Sequence, residues 1–159
     1  MIALPRYYRG LWALGGFVCT TLGVSAVAGA VSLPAVSDGY GVLAEAPLVA
    51  ERWLFAPLAA TIYLVMAVSA WLVWREGPSR EVSRALSLYF AKLALNLAWP
   101  LLFFLLHMRA LSLIAGTAWL VAALVTWWTF RSESRPAGNL VLPSVAWAAL
   151  AVGFNLQGW

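Results

Sequence analysis

Five long apolar segments, separated by shorter polar ones, constrain the fold of this chain more than any other feature of its sequence. Each has about 20 residues, which is the length that an α-helix needs to cross the hydrocarbon core of a bilayer. The pattern predicts an all-α membrane protein, with one domain over residues 1–159 built as a bundle of five transmembrane helices. The predicted helices cover residues 11–31, 53–74, 85–106, 110–130 and 139–158.

The composition excludes a water-soluble protein. Hydrophobic residues make up 64% of the chain and charged residues only 10%, whereas a soluble domain has about 25% charged residues. The single cysteine, Cys19, cannot form a disulfide within the chain, and the single histidine, His107, excludes a histidine-based metal cluster. The net charge is +4, but the arginines lie at the ends of the apolar segments. Such placement is typical of membrane topology and does not indicate nucleic-acid binding.

The arginines also predict the orientation of the chain in the membrane. Consecutive spans run in opposite directions, so seven arginines lie on the first side and two, Arg52 and Arg109, on the second. Because arginine accumulates on the cytoplasmic side of an inner membrane, we expect a cytoplasmic N-terminus and an external C-terminus. The acidic segment 32–52 is then external, and its length fits either a lid over a site or a solvated linker. The seven arginines are Arg6, Arg9, Arg75, Arg80, Arg84, Arg131 and Arg135.

The third apolar segment contains polar residues that are costly in hydrocarbon. A charged side chain at membrane depth costs about 3 kcal/mol or more, so it usually faces the protein interior or a wet cavity. At about 3.6 residues per turn, one face of the helix holds Lys92, Asn96, Trp99 and Phe103. We predict that this face lines an interior cavity. Two alternatives stay open: Lys92 reaches the headgroups or a partner on a neighbouring helix, and Asn96 joins two helices.

Three predicted helices bring aromatic and amide groups to the external half of the membrane. Apolar and aromatic walls with a few polar groups are typical of small-molecule sites, so we expect a pocket here, beneath the segment 32–52. A tryptophan near the interface is alternatively a membrane anchor, and Pro100 and Pro143 predict kinks. On the second and fifth helices the groups are Trp53, Phe55, Ala56, Tyr63, Trp147 and Asn155.

No enzyme motif is present in the sequence. It contains no HExxH, no Cys/His ligand set and no Ser–His–Asp spacing, and its six acidic residues all lie between the predicted helices. No catalytic residue, no metal ligand and no covalently bound cofactor are therefore predicted.

Three stretches of the chain resemble the signature of a known membrane-protein family. They are Trp53-Leu-Phe-Ala-Pro57, then Lys92-Leu-Ala-Leu-Asn-Leu-Ala-Trp-Pro-Leu-Leu-Phe-Phe104, and finally Leu142-Pro-Ser-Val-Ala-Trp147 followed by Phe154-Asn155. In this order, over about residues 50–156, the chain is similar to the TspO/MBR family, the translocator or peripheral benzodiazepine receptor family.

The resemblance implies a five-helix bundle, often a homodimer, that binds porphyrins, haem-like tetrapyrroles or sterols between its helices. The expected partners are the lipid bilayer, such a hydrophobic small molecule and a second copy of the chain. The pocket implied by the resemblance consists of Phe55, Ala56, Leu58, Asn96, Trp99, Leu111, Trp147, Ala151 and Phe154. The residues derived above add Trp53, Tyr63, Lys92 and Asn155 to the predicted ligand-binding set.

The chain departs from the family pattern at three positions. A tryptophan of helix 2 is replaced by Ala59, a glutamine of helix 3 by Lys92, and the tyrosine after the helix 5 proline by Ser144.

The leading hypothesis is a membrane receptor or carrier for a flat hydrophobic ligand, such as a tetrapyrrole. The second is a photo-oxidative enzyme that degrades porphyrin with its pocket tryptophans, against which Ala59 argues. The third is a membrane scaffold or stress-regulatory subunit.

Overall fold

The computed structural model describes residues 6–37 and 52–157, and this part of the chain contains helices and no strand. Five helices in these ranges are long and apolar enough to cross a membrane. The predicted all-α fold with five membrane helices is therefore confirmed. We number them α1 (Arg6–Ser37), α2 (Arg52–Arg75), α3 (Arg80–Pro100), α4 (Arg109–Glu133) and α5 (Arg135–Gln157).

The first helix extends beyond its predicted end. α1 continues to Ser37, so residues 32–37 of the predicted loop are helical. The rest of that loop, residues 38–51, and the predicted end of the fifth helix at residue 158 lie outside the described residues. We predicted the end of α1 at the point where the sequence becomes less hydrophobic. The helix continues past this point because its hydrogen bonds join backbone groups and do not require apolar side chains.

The predicted turn over residues 131–138 is reduced to one residue. α4 ends at Glu133, α5 begins at Arg135, and Ser134 between them is extended, with φ −151° and ψ 114°. This short link presses the first turn of α5 against the last turn of α4. A Cβ atom at Gly138 would lie 2.6 Å from Cβ of Arg131, so only glycine fits this crossing.

The start of α3 is defined by a side-chain cap. The Oγ of Ser79 accepts a hydrogen bond from the backbone N–H of Val82, at 3.0 Å. Gly77 in the preceding turn has φ +108°, a conformation that side chains disfavour. The link between α2 and α3 is therefore short and well defined.

The end of α3 contains the distortion predicted at Pro100. One turn of π-helix, Leu101–Leu105, follows the proline directly. Proline has no N–H to donate to the carbonyl four residues earlier, and wide turns of this kind occur where the helical ladder is interrupted. His107 then takes φ +53° and reverses the chain into α4. As predicted, α3 and α4 are an antiparallel pair joined by a very short turn.

Four of the five helices are more deeply buried in the bundle than α1. α4 packs mainly against α5 and α3, and α2 packs against α1 and α5. Only 6% of the α1 span is buried, compared with 33–44% of each of the other four. Gly15, Gly16, Gly23 and Cys19 lie exposed on α1. Most of the surface of α1 is thus open to lipid or to another chain.

Candidate ligand site between the helices

The amide of Asn96 joins α3 to α2. The hydroxyl of Tyr63 donates a hydrogen bond to Asn96 Oδ1, and both side chains are buried. A polar group inside a membrane protein needs such a partner because hydrocarbon offers none. Of the two interpretations of Asn96, the interhelical link is therefore present, and it leaves the two Nδ2 hydrogens for a further acceptor.

Lys92 is buried completely, with 0% of its surface exposed. Its Nζ donates to Ser144 Oγ on α5 at 3.1 Å and lies 5.3 Å from the centroid of the Tyr89 ring. Lys92 therefore does not reach the headgroups, and of the open alternatives the partner on a neighbouring helix is the one observed. The hydroxyl of Ser144 in turn donates to the carbonyl of Val141 at 2.8 Å.

Lys92 and Ser144 lie at two of the positions where the family resemblance led us to expect other residues. The structure shows that they form one interaction across the α3–α5 contact, 52 residues apart in sequence. The two departures therefore act as a pair: the small serine side chain offers an oxygen to the lysine amine.

A cluster of aromatic side chains lies farther along the buried face of α3. Trp99 stacks on Phe103 with ring centroids 5.3 Å apart and an angle of 14° between the planes. Phe104 meets Trp99 edge to face at 5.7 Å, and Trp119 of α4 lies 6.3 Å away. Aromatic pairs in these arrangements stabilise each other beyond the area that they bury. The cluster is therefore a tightly packed group of aromatic rings, all of them buried.

Gly116 on α4 makes room for the indole of Trp99. A Cβ atom at this position would lie 3.0 Å from Cδ1 and 3.3 Å from Nε1 of Trp99. The indole therefore rests directly on the backbone of α4. The indole N–H groups of Trp99 and Trp119 are buried and have no hydrogen-bond partner among the described residues. Buried indole N–H groups usually find an acceptor, so these two are candidate donors to a ligand.

A second amide joins the helices on the α4–α5 side. Ser112 Oγ donates to Asn155 Oδ1 at 2.7 Å, and Asn155 Nδ2 donates to the carbonyl of Ala151 at 3.3 Å. Both Ser112 and Asn155 are buried. The amides of Asn96 and Asn155 thus fix the positions of α2, α3, α4 and α5 around the aromatic cluster.

The structure brings only some of the predicted site residues together. Ala56, Leu58 and Leu111 are exposed, the last two by 41% and 44%. Trp53 and Phe55 lie in the first turn of α2, where the side chains are outside the described part. Lys92 lies beside Ser144, and Asn155 beside Ser112. Trp99 and Ala151 belong to the aromatic cluster and Trp147 and Phe154 pack against it, whereas Tyr63 and Asn96 form a hydrogen-bonded pair of their own.

Of α4, only Leu111 was predicted from the sequence to belong to the site, so the contribution of its inner face was missed. Its exposed residues, such as Ile114 and Trp128, do form an outer face. Its inner face, however, supplies Trp119 and the hydrogen-bonding Ser112. The sequence of α4 did indicate this inner face, because small residues recur along one face of the helix. These buried small residues are Ser112, Ala115, Gly116 and Ala123.

The fold and the interior define the class: a multi-pass helical membrane protein with an aromatic site between its helices. A model of the TspO/MBR family matches residues 17–159. "Translocator protein" of Ovis aries is 36% identical over 124 residues, covering 76% of this chain and 72% of the relative. "Tryptophan-rich sensory protein" of Cereibacter sphaeroides is 34% identical over 148 residues, covering 92% and 89%. The chain belongs to the TspO/MBR family, which supports a membrane receptor or carrier role.

Proposed function

We propose that the protein is a membrane receptor or carrier that binds a flat hydrophobic ligand, a tetrapyrrole such as a porphyrin, at the aromatic cluster of Trp99. A sterol is the other ligand class that the resemblance implies. The observation behind the proposal is the combination of stacked aromatic rings with the indole N–H groups of Trp99 and Trp119, which have no acceptor in the described part of the chain.

The chemistry of a porphyrin suits this cluster. Its extended flat ring offers a large apolar face to aromatic side chains, and its peripheral oxygen atoms accept hydrogen bonds. Small-molecule sites combine apolar walls with a few polar groups that set orientation. At this cluster the walls are Trp99 and Phe103, and the donors are the indole N–H groups and Asn96 Nδ2.

Titration of the purified protein with protoporphyrin IX, followed by tryptophan fluorescence, tests the proposal. We expect saturable quenching, and we expect Trp99→Ala to weaken binding by about tenfold or more, since stacking on an aromatic side chain contributes about 1–3 kcal/mol. Trp128→Ala is the matched control, because Trp128 is 68% exposed on the outer face of α4. Quenching that does not saturate, or equal losses in both variants, would contradict the proposal.

We also propose the orientation and assembly that the sequence predicts. The excess of arginines on one side supports a cytoplasmic N-terminus and an external C-terminus in an inner membrane. The resemblance implies a homodimer, and α1 offers a face for it, because α1 is the least buried span and exposes Gly16, Cys19 and Gly23. Small residues allow two helix backbones to approach closely in a membrane.

A further inference from the structure

Lys92 is the only lysine of the chain, and no acidic partner accompanies it within the described residues. The carboxylates of residues 6–37 and 52–157 are Glu76, Glu81 and Glu133, all at helix ends. The first two are exposed and the third is half-buried. A buried amine at membrane depth is costly without a charged or strongly polar partner. Among the described residues, the amine of Lys92 therefore has no carboxylate partner.

The hydrogen bonds of Lys92 are also incomplete. An ammonium group has three hydrogens to donate, and among the described residues its Nζ has one acceptor, Ser144 Oγ, together with the ring of Tyr89. Two of the three donors therefore have no acceptor there. Polar groups that remain unsatisfied inside a protein are rare and indicate strain or a function.

The position of Lys92 connects it to the aromatic cluster. Lys92, Asn96 and Trp99 follow one another on successive turns of the buried face of α3. One turn is about 5.4 Å long, and the amine sits on a flexible four-carbon stem. The stem is long enough for the amine, once it rotates away from Ser144 and Tyr89, to reach the level of Asn96. The indole N–H of Trp99, which has no hydrogen-bond partner among the described residues, lies one further turn along the same face.

We propose that Lys92 makes the site selective for ligands with a carboxylic acid group. Ser144 holds the amine in place, and the amine moves to the acid group of a flat ligand stacked at Trp99. The ligand then contributes the anion that the described spans lack, and the pair is neutral overall whichever atom holds the shared proton. This inference rests on the proposed function and names the ligand class: a flat hydrophobic molecule with an acidic side chain.

Comparing protoporphyrin IX, which has two acid groups, with its neutral dimethyl ester tests this selectivity. We expect the unaltered protein to bind the acid more tightly than the ester by about tenfold or more, since a hydrogen bond to a charged group is about twice as strong as a neutral one. In Lys92→Gln this preference disappears through weaker binding of the acid, while ester binding changes by less than about twofold.

Ser144→Ala separates a role in ligand selection from a role in folding. If Lys92 and Ser144 only stabilise the bundle, both variants lower its stability and weaken both ligands alike. If Ser144 only holds the amine, Ser144→Ala leaves it free for the ligand, and the acid binds as tightly as before or more tightly. Lys92→Gln then weakens acid binding whereas Ser144→Ala does not, a difference that a purely structural role does not produce.

The outcomes distinguish this inference from the proposed function. Saturable binding of both ligands to the unaltered protein, with no preference for the acid, overturns the inference and leaves the proposed function standing. A preference that survives in Lys92→Gln overturns it as well. If neither ligand binds, both the inference and the proposed function fail. The comparison in the unaltered protein requires no variant to fold.

Discussion

At the scale of single residues, the polar side chains inside the bundle are matched across helices. Four hydrogen-bonded pairs each join two different helices, and each pair satisfies polar groups that lipid cannot satisfy. Because the alternative in hydrocarbon is an unpaired donor or acceptor, such pairs fix which faces of the helices meet. The pairs are Thr21 with Tyr89, Tyr63 with Asn96, Lys92 with Ser144 and Ser112 with Asn155.

We expect Tyr63→Phe to lower the free energy of unfolding by about 0.5–1.5 kcal/mol, because it removes the hydroxyl that bonds Asn96 and keeps the ring. Unfolding in mixed detergent micelles measures this loss. Thr61→Val is the control on the same helix: Thr61 is exposed and bonds only the carbonyl of Pro57 in its own helix. Equal stability of Tyr63→Phe and the unaltered protein would show that Asn96 is satisfied in another way.

The sequence located these polar residues but did not predict their partners. The period of α3 placed Lys92 on the same face as Asn96, and the structure agrees. The bond between Lys92 and Ser144 depends on the rotation of α3 and α5 about their axes. Neither rotation can be predicted from a single sequence. Apolar residues surround each helix, so the hydrophobic pattern does not clearly distinguish the buried face from the others.

At the scale of helices and turns, Pro100 determines what α3 presents to the cluster. In a regular helix, neighbouring residues point about 100° apart, yet Phe103 and Phe104 are both buried and both contact Trp99. The wide turn after Pro100 accompanies this arrangement. Composition predicted a kink here but not its form, since a proline is compatible with several kinds of distortion.

The contact between α3 and α4 depends on Gly116. Alanine stabilises a helix relative to glycine by about 0.5–1 kcal/mol, and we expect Gly153→Ala to show this gain, because a Cβ there meets nothing within 4 Å. In Gly116→Ala the new methyl group displaces Trp99, so we expect lower stability than in Gly153→Ala and weaker porphyrin binding. Chemical denaturation and tryptophan quenching measure the two effects. Identical behaviour of the two variants would contradict the close packing of Trp99 on α4.

At the scale of the whole molecule, the five helices are not equivalent. α2 to α5 form the interior, whereas α1 lies on one side and is bonded to the bundle at a few points, such as Trp71 Nε1 to the carbonyl of Gly10 at 2.7 Å. The five spans were predictable because apolar length is a strong signal. The peripheral position of α1 was not predictable, because its mean hydropathy is similar to that of the more deeply buried spans.

The exposed cysteine of α1 makes the homodimer testable in membranes. If two copies meet through α1, we expect oxidation to link Cys19 of each copy and to give a dimer band on a non-reducing gel, absent in Cys19→Ser. The matched control combines Cys19→Ser with Leu124→Cys, on α4, where Leu124 is 44% exposed. It should give little dimer. Cross-linking of the control to the same extent would indicate random collision and no α1 interface.

The single extended residue between α4 and α5 has a consequence for the biogenesis of the protein. Because a single residue, Ser134, joins the two spans, we expect α4 and α5 to enter the bilayer together as a helical hairpin. The tight crossing at Gly138 lies within this hairpin. Trp119, Trp147 and Ser144 lie on the same two helices, so we expect this part of the site to be inserted as one unit.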